Sequence, residues 1–124
     1  AATEAAVARL REAGADVVDV ELPTWGQWGE AELTVLLYEF KDGLNRYLAE
    51  GPAPVADLEA LIAWNTANAE RAMRWFGQEL LEQAQTKGPL TDPAYLEAKA
   101  TARRLAGDEG LLKVLREGGF DALI

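Results

Sequence analysis

Apolar residues return every three or four positions through most of the chain, and only near its two ends do they crowd into short, nearly continuous runs. The first habit predicts helices and the second predicts buried strands. Leu33, Leu36, Leu37, Phe40, Leu44, Tyr47 and Leu48 share one helical face while Glu39, Asp42, Asn45, Arg46 and Glu50 take the other, so an amphipathic helix is expected there, stopped by Gly51-Pro52. Asp57 is placed to cap a second helix carrying Leu58, Leu61, Ile62 and Trp64, which residues 65–74 either continue or bend. Phe76-Gly77 interrupts the pattern. Residues 79–85 then make a shorter helix ending near Gly88-Pro89, and Asp92-Pro93 opens another with Tyr95, Leu96 and Leu105. A break at residues 107–110 precedes a last helix with Leu111, Leu112 and Leu115.

The two ends read differently. Residues 1–13 form a helix with Ala6, Val7 and Leu10 on one face and Gly14 as a left-handed cap, followed by a strand over 15–22 that Pro23 stops. Gly118 and Gly119 close the last helix, and residues 120–124 open a second strand that ends on Leu123 and Ile124. Val17, Val18 and Val20 make the kind of run that belongs inside a parallel sheet covered on both faces. The expected class is therefore mostly α with two short β-strands, a piece of a longer α/β protein. Strands severed from their sheet carry unpaired edges, so a homodimer of the isolated piece is expected.

Composition narrows the chemistry. The 124 residues fit a single domain with enough apolar content for a core. A net charge of -9 is spread along the helical segments, which makes nucleic acid and anionic membrane surfaces poor partners. No apolar run approaches the ~20 residues of a membrane span, and Glu4 interrupts the amino-terminal stretch, so neither a span nor a signal sequence is expected and the cytoplasm is the default setting. The chain has no cysteine, histidine or serine. It therefore lacks the usual nucleophiles, the commonest general base and the commonest zinc ligands. The pairs Glu30/Glu32, Glu79/Glu82 and Asp108/Glu109 are of the kind an acidic helical chain produces by chance, and Thr3 is not at the amino terminus, where a threonine nucleophile works. Residues 107–110 have no preceding strand and no basic residue, so they make a helix break and not a phosphate cradle. No cofactor or metal is implied.

Six strings in order carry a resemblance: LREAGADVVDVELP (10–23), LLYEFKDGLNRYLAE (36–50), DLEALIAWNTANAE (57–70), FGQELLEQAQ (76–85), LTDPAYLEA (90–98) and GFDALI (119–124). Together they resemble the carboxyl-terminal part of the amidase signature family, nearest its bacterial amidases and peptide amidases. The resemblance implies an α/β fold with helices around a mixed sheet, with residues 1–124 as one piece of the amidase domain and the rest of the amidase chain as its partner. It further implies hydrolysis of a linear carbon-nitrogen amide bond by a serine nucleophile, with a second serine in a cis peptide bond, a lysine base and a Gly/Ser-rich loop that meets the oxyanion. None of those catalytic residues maps onto this sequence. Lys41, Lys87, Lys99 and Lys113 lack the serine-rich context and read as surface lysines.

Two aromatic stretches remain as substrate-pocket candidates within such an enzyme. Trp25 and Trp28 follow a strand end, where open α/β sheets place ligand crevices, or else they pack under a loop. Phe76, Gln78 and Glu79 sit at an aromatic-glycine bend before a helix, where Gln78 or Glu79 faces an amide or holds a neighbouring segment. The contrasting reading is a self-standing acidic helical domain that binds a protein partner through an apolar surface.

Overall fold

Local chemistry sets most of the helix limits in the computed structural model, which describes residues 2–124. Helix α1 (Ala2–Glu12) ends where Gly14 turns to φ +94° and the Ala15 N–H donates to the Leu10 carbonyl at 3.0 Å. Helix α2 (Gly29–Glu50) runs its 22 residues to the Gly51-Pro52 stop, a length of about 33 Å. Asp57 Oδ1 accepts the Ala60 N–H at 2.8 Å and opens α3 (Leu58–Ala67). The chain then bends at Asn68, whose side-chain amide donates back to the Trp64 carbonyl at 2.8 Å, before the single turn of α4 (Ala69–Ala72).

Helix α5 covers Glu79–Gln85, and α6 covers Pro93–Ala102 with its proline in the first turn. Asp92 stands at the α6 N-cap but does not cap it, since its carboxylate accepts the Tyr38 hydroxyl at 3.2 Å instead. Past α6 the backbone widens over Arg103–Leu111 and breaks at Gly110 before α7 (Leu112–Gly118). Gly119 closes α7 at φ +64°, and the Phe120 N–H donates to the Leu115 carbonyl at 3.0 Å.

Gly110 has a steric reason to be glycine. A β-carbon there would come within 2.5 Å of the Leu105 carbonyl oxygen and 2.9 Å of Thr24 Oγ1. The same oxygen accepts the Thr24 hydroxyl at 2.6 Å, so the turn before α2 and the kink before α7 meet at one point.

Helix α2 is the organising element, packing against α3, α5 and α6, with α3 also on α5. Leu37, Leu58 and Ala84 form the core between α2, α3 and α5, edged by Leu44, Ile62 and Leu81. Leu58 is completely buried. Only part of the apolar face of α2 is used, because Leu33, Leu36, Phe40 and Tyr47 remain exposed.

The two expected strands are absent: no strand occurs among the described residues, and residues 15–22 and 120–124 run without a ladder partner. A strand exists only by pairing, and neither segment finds a neighbour here, so the apolar runs that mark them leave Val18 50% exposed and Ile124 81% exposed. The mixed sheet of the expected fold is likewise not formed among the described residues. Helix α1 is also uncovered. None of its described residues is buried, and it makes no contact with another helix among the described residues.

Candidate functional site

The pocket candidates fall in two separate places. Trp25 and Trp28 lie on the turn before α2, which is held by the Gln27 N–H to the Thr24 carbonyl at 3.0 Å and has Gly26 at φ +78°. Their rings meet edge to face with centroids 5.6 Å apart. Trp25 nonetheless keeps 74% of its surface exposed, while Trp28 is half-buried at the start of α2.

Phe76, Gln78 and Glu79 lie at the bend before α5. Phe76 and its neighbour Trp75 project outward, 85% and 80% exposed, with the Arg74 guanidinium 5.0 Å from the Trp75 ring centroid. Gln78 does the opposite and is buried. Its Oε1 accepts from Asn65 Nδ2 at 3.2 Å, and its Nε2 donates to Thr66 Oγ1 at 3.0 Å, with longer contacts to Glu82 Oε1 and the Ile62 carbonyl. The amide is thus spent on tying α3 to α5. The Glu79 carboxylate folds back over Gly77, where a β-carbon would collide with it.

Neither of two open hollows gathers these residues. One, of about 290 Å³, is lined by Lys41, Asp42, Asn45, Lys87, Gly88 and Pro89, and the other, of about 480 Å³, by residues 66–71. No group of three or more His, Cys, Asp or Glu side chains able to hold a metal ion occurs among the described residues.

Polar residues to which the sequence assigned no partner form the tightest network. Tyr95 donates to Glu39 Oε1 at 2.6 Å, and Lys99 donates to the Tyr95 oxygen at 2.9 Å, joining α6 to α2. The Tyr38 and Tyr95 rings pack beside them at 5.5 Å. Lys41 reaches from α2 to the carbonyls of Gln85 at 2.8 Å and Lys87 at 2.6 Å, so an ammonium caps the negative end of α5. Lys41 and Lys99 are therefore structural ties and not idle surface lysines. The one signal available in sequence was the one-turn spacing of Tyr95 and Lys99, and it says nothing about Glu39.

The hydrogen bond from Tyr95, helped by Lys99, holds the Glu39 carboxyl below its ordinary value of 4.5, against a smaller opposing effect of burial. Tyr95 and then Glu39 hold the Lys99 ammonium above its ordinary 10.5. A lowered acid stabilises the fold above its unfolded pKa and loses that contribution as pH falls through the folded value; a raised base does so below its unfolded pKa and loses it as pH rises. The melting temperature should therefore decline below about pH 4.5 and above about pH 10.5 on account of this cluster, and Tyr95→Phe should shrink both declines. Both charged groups are roughly half exposed, which keeps the effect modest. An acid limb unchanged in Tyr95→Phe, read by thermal melts across pH, would contradict this.

Comparison with solved structures finds close neighbours. The chain is 50% identical to the native peptide amidase from Stenotrophomonas maltophilia over 96% of its own length, and the two superpose with a TM-score of 0.88. Over that length it has the fold of the corresponding part of a peptide amidase. The same identity, coverage and TM-score hold against the peptide amidase PAM in complex with the competitive inhibitor chymostatin. The match takes in 24% of the peptide amidase chain, so this chain spans about a quarter of its relative's length. No family model matches the chain, and no curated protein matches it. No described helix is long and apolar enough to cross a membrane.

Proposed function

We propose that the chain is the carboxyl-terminal part of an amidase domain whose serine and lysine machinery lies outside these 124 residues. In that setting residues 15–22 and 120–124 join the sheet as strands, and the helices between them wall the substrate pocket. The observation that carries the reading is 50% identity over 96% of the chain to a peptide amidase four times as long or so, matched over 24% of its length. The reaction of the whole enzyme is hydrolysis of a linear amide carbon-nitrogen bond by a Ser-Ser-Lys mechanism, on amides of the peptide type that the relative's name indicates.

Within the piece, Trp25, Trp28 and Phe76 are the pocket-wall candidates, because they hold aromatic surface out from anchored turns. Glu79 is a further candidate at the same bend. The burial and complete use of the Gln78 amide support a positioning role, keeping the Trp75-Phe76 bend against α3. Unpaired backbone over residues 15–22 and 120–124 supports a homodimer of the isolated chain, closed by pairing between copies.

Alone, the chain should not catalyse, since it holds no serine, cysteine or histidine. Incubated with aryl amides and peptide amides it is expected to give turnover equal to buffer. Turnover that survives repeated purification and vanishes on mutation of a residue in this chain would overturn the reading.

A further inference from the structure

Helix α2 is apolar over a wider arc than its neighbours cover. Leu37, Tyr38 and Leu48 are buried, whereas Leu36, Phe40 and Tyr47 stand 52%, 38% and 72% exposed. With Gly43 the exposed residues fall at i, i+4, i+7 and i+11, which sets them in a single row along the helix. The row itself carries no charge, with Glu32 and Glu50 one step beyond its two ends and Glu30, Glu39 and Asp42 to its sides. At Gly43 a β-carbon would meet nothing within 4 Å. Glycine weakens a helix interior, and its use there is to let another backbone come close. In this chain nothing does.

We propose that the Leu36–Phe40–Gly43–Tyr47 row is the seat of an apolar, uncharged element from the remaining part of the amidase fold, laid closely over Gly43. The inference rests on the amidase reading and adds the surface through which this piece is held. The size of the relative supports that occupant, because only 24% of the peptide amidase chain is matched and most of a folded enzyme is left to cover this piece. The chemistry of the row supports it as well. Between Leu36 and Tyr47 the row offers no acid to a basic partner, and its acids, Glu32 and Glu50, stand only at the two ends.

The test places two substitutions, Tyr47→Glu and Gly43→Leu, in two settings: the 124-residue chain, and a graft of this chain in place of the matching quarter of the Stenotrophomonas peptide amidase. In the chain alone Tyr47→Glu should melt within about 3 °C of the parent, as a substitution at an uncovered position does, and Gly43→Leu should melt at or above it, because leucine suits a helix interior better than glycine. In the graft each should lower the melting temperature by about 10 °C or more, or remove soluble enzyme, while Glu97→Gln at an exposed position of α6 changes neither setting. Grafted variants that melt with their parent would overturn the row and leave the amidase reading standing. A parent graft that fails to fold would remove both. If Tyr47→Glu destabilises the isolated chain, or dissociates a dimer of it in light scattering, the occupant is a second copy and the proposal is wrong.

Discussion

Replacing Leu58 by alanine is expected to remove about 3 kcal/mol of stability, the largest effect of any single truncation in this chain. Leu58 is completely buried and is the largest side chain to be so. It lies against Leu37 of α2 and Ala84 of α5, at the one place where three helices share a core. Its N–H is also fixed, donating to Asn45 Oδ1 at 2.8 Å, so the backbone cannot slide inward to fill the space left by the lost methyls. Small domains have only about 5–15 kcal/mol in all, and a loss of this size should lower the melting temperature by about 10 °C or more. Thermal unfolding followed by circular dichroism reads it. A drop below about 4 °C would mean that the core collapses freely around the gap and that Leu58 does not hold the three helices together.

Gly110→Ala is expected to cost about 2–3 kcal/mol, by a different route. The added carbon would lie 2.5 Å from the Leu105 carbonyl oxygen and 2.9 Å from Thr24 Oγ1, and a carbonyl in a wide helical turn cannot swing aside as a flexible side chain would. Whatever moves, the 2.6 Å bond from Thr24 to Leu105 is disturbed. Thr24→Val removes that bond alone and should cost about 1–2 kcal/mol. Because the two changes act on one oxygen, the double variant should lose less than their sum, by more than the ~0.5 kcal/mol scatter of independent sites. Strict additivity in urea melts would show that Gly110 and Thr24 do not share this contact.

What the sequence made legible was mostly what a few neighbouring residues decide. The cap by Asp57, the stops at Gly14, Gly51 and Gly119 and the seven-residue span of α5 depend on groups within about one helical turn, and each stands where the pattern put it. The strands did not form because a strand is a relation between segments. Their apolar runs meet no partner segment among the described residues. The row on α2 shows the same limit: periodicity tells how wide an apolar face is, and it does not tell which half of that face the chain covers.

The candidate site divides in the same way. The aromatic-glycine bend at Phe76-Gly77 could be read locally, but the burial of Gln78 depends on Asn65 and Thr66 across a helix connection. Asp92 was readable as a cap until Tyr38, 54 residues away, claimed its carboxylate. Lys41 meets the end of α5 across more than 40 residues, and no spacing rule connects the two. Side chains whose partners are distant in sequence look idle until the helices are packed.

The bareness of α1 has a further consequence. An 11-residue helix with no other helix against it among the described residues leans mainly on its own propensity, and peptides of that length fall short of the ~12–15 residues at which isolated helices become marginal in water. Its alanines and the carbonyl of Val17, which accepts from Arg11 at 2.9 Å, are its local support. The amino-terminal arm should therefore wind and unwind on its own, decoupled from the melting of the three-helix core, and Arg9 and Arg11 present themselves to a trypsin-like protease well before any bond inside α2 does.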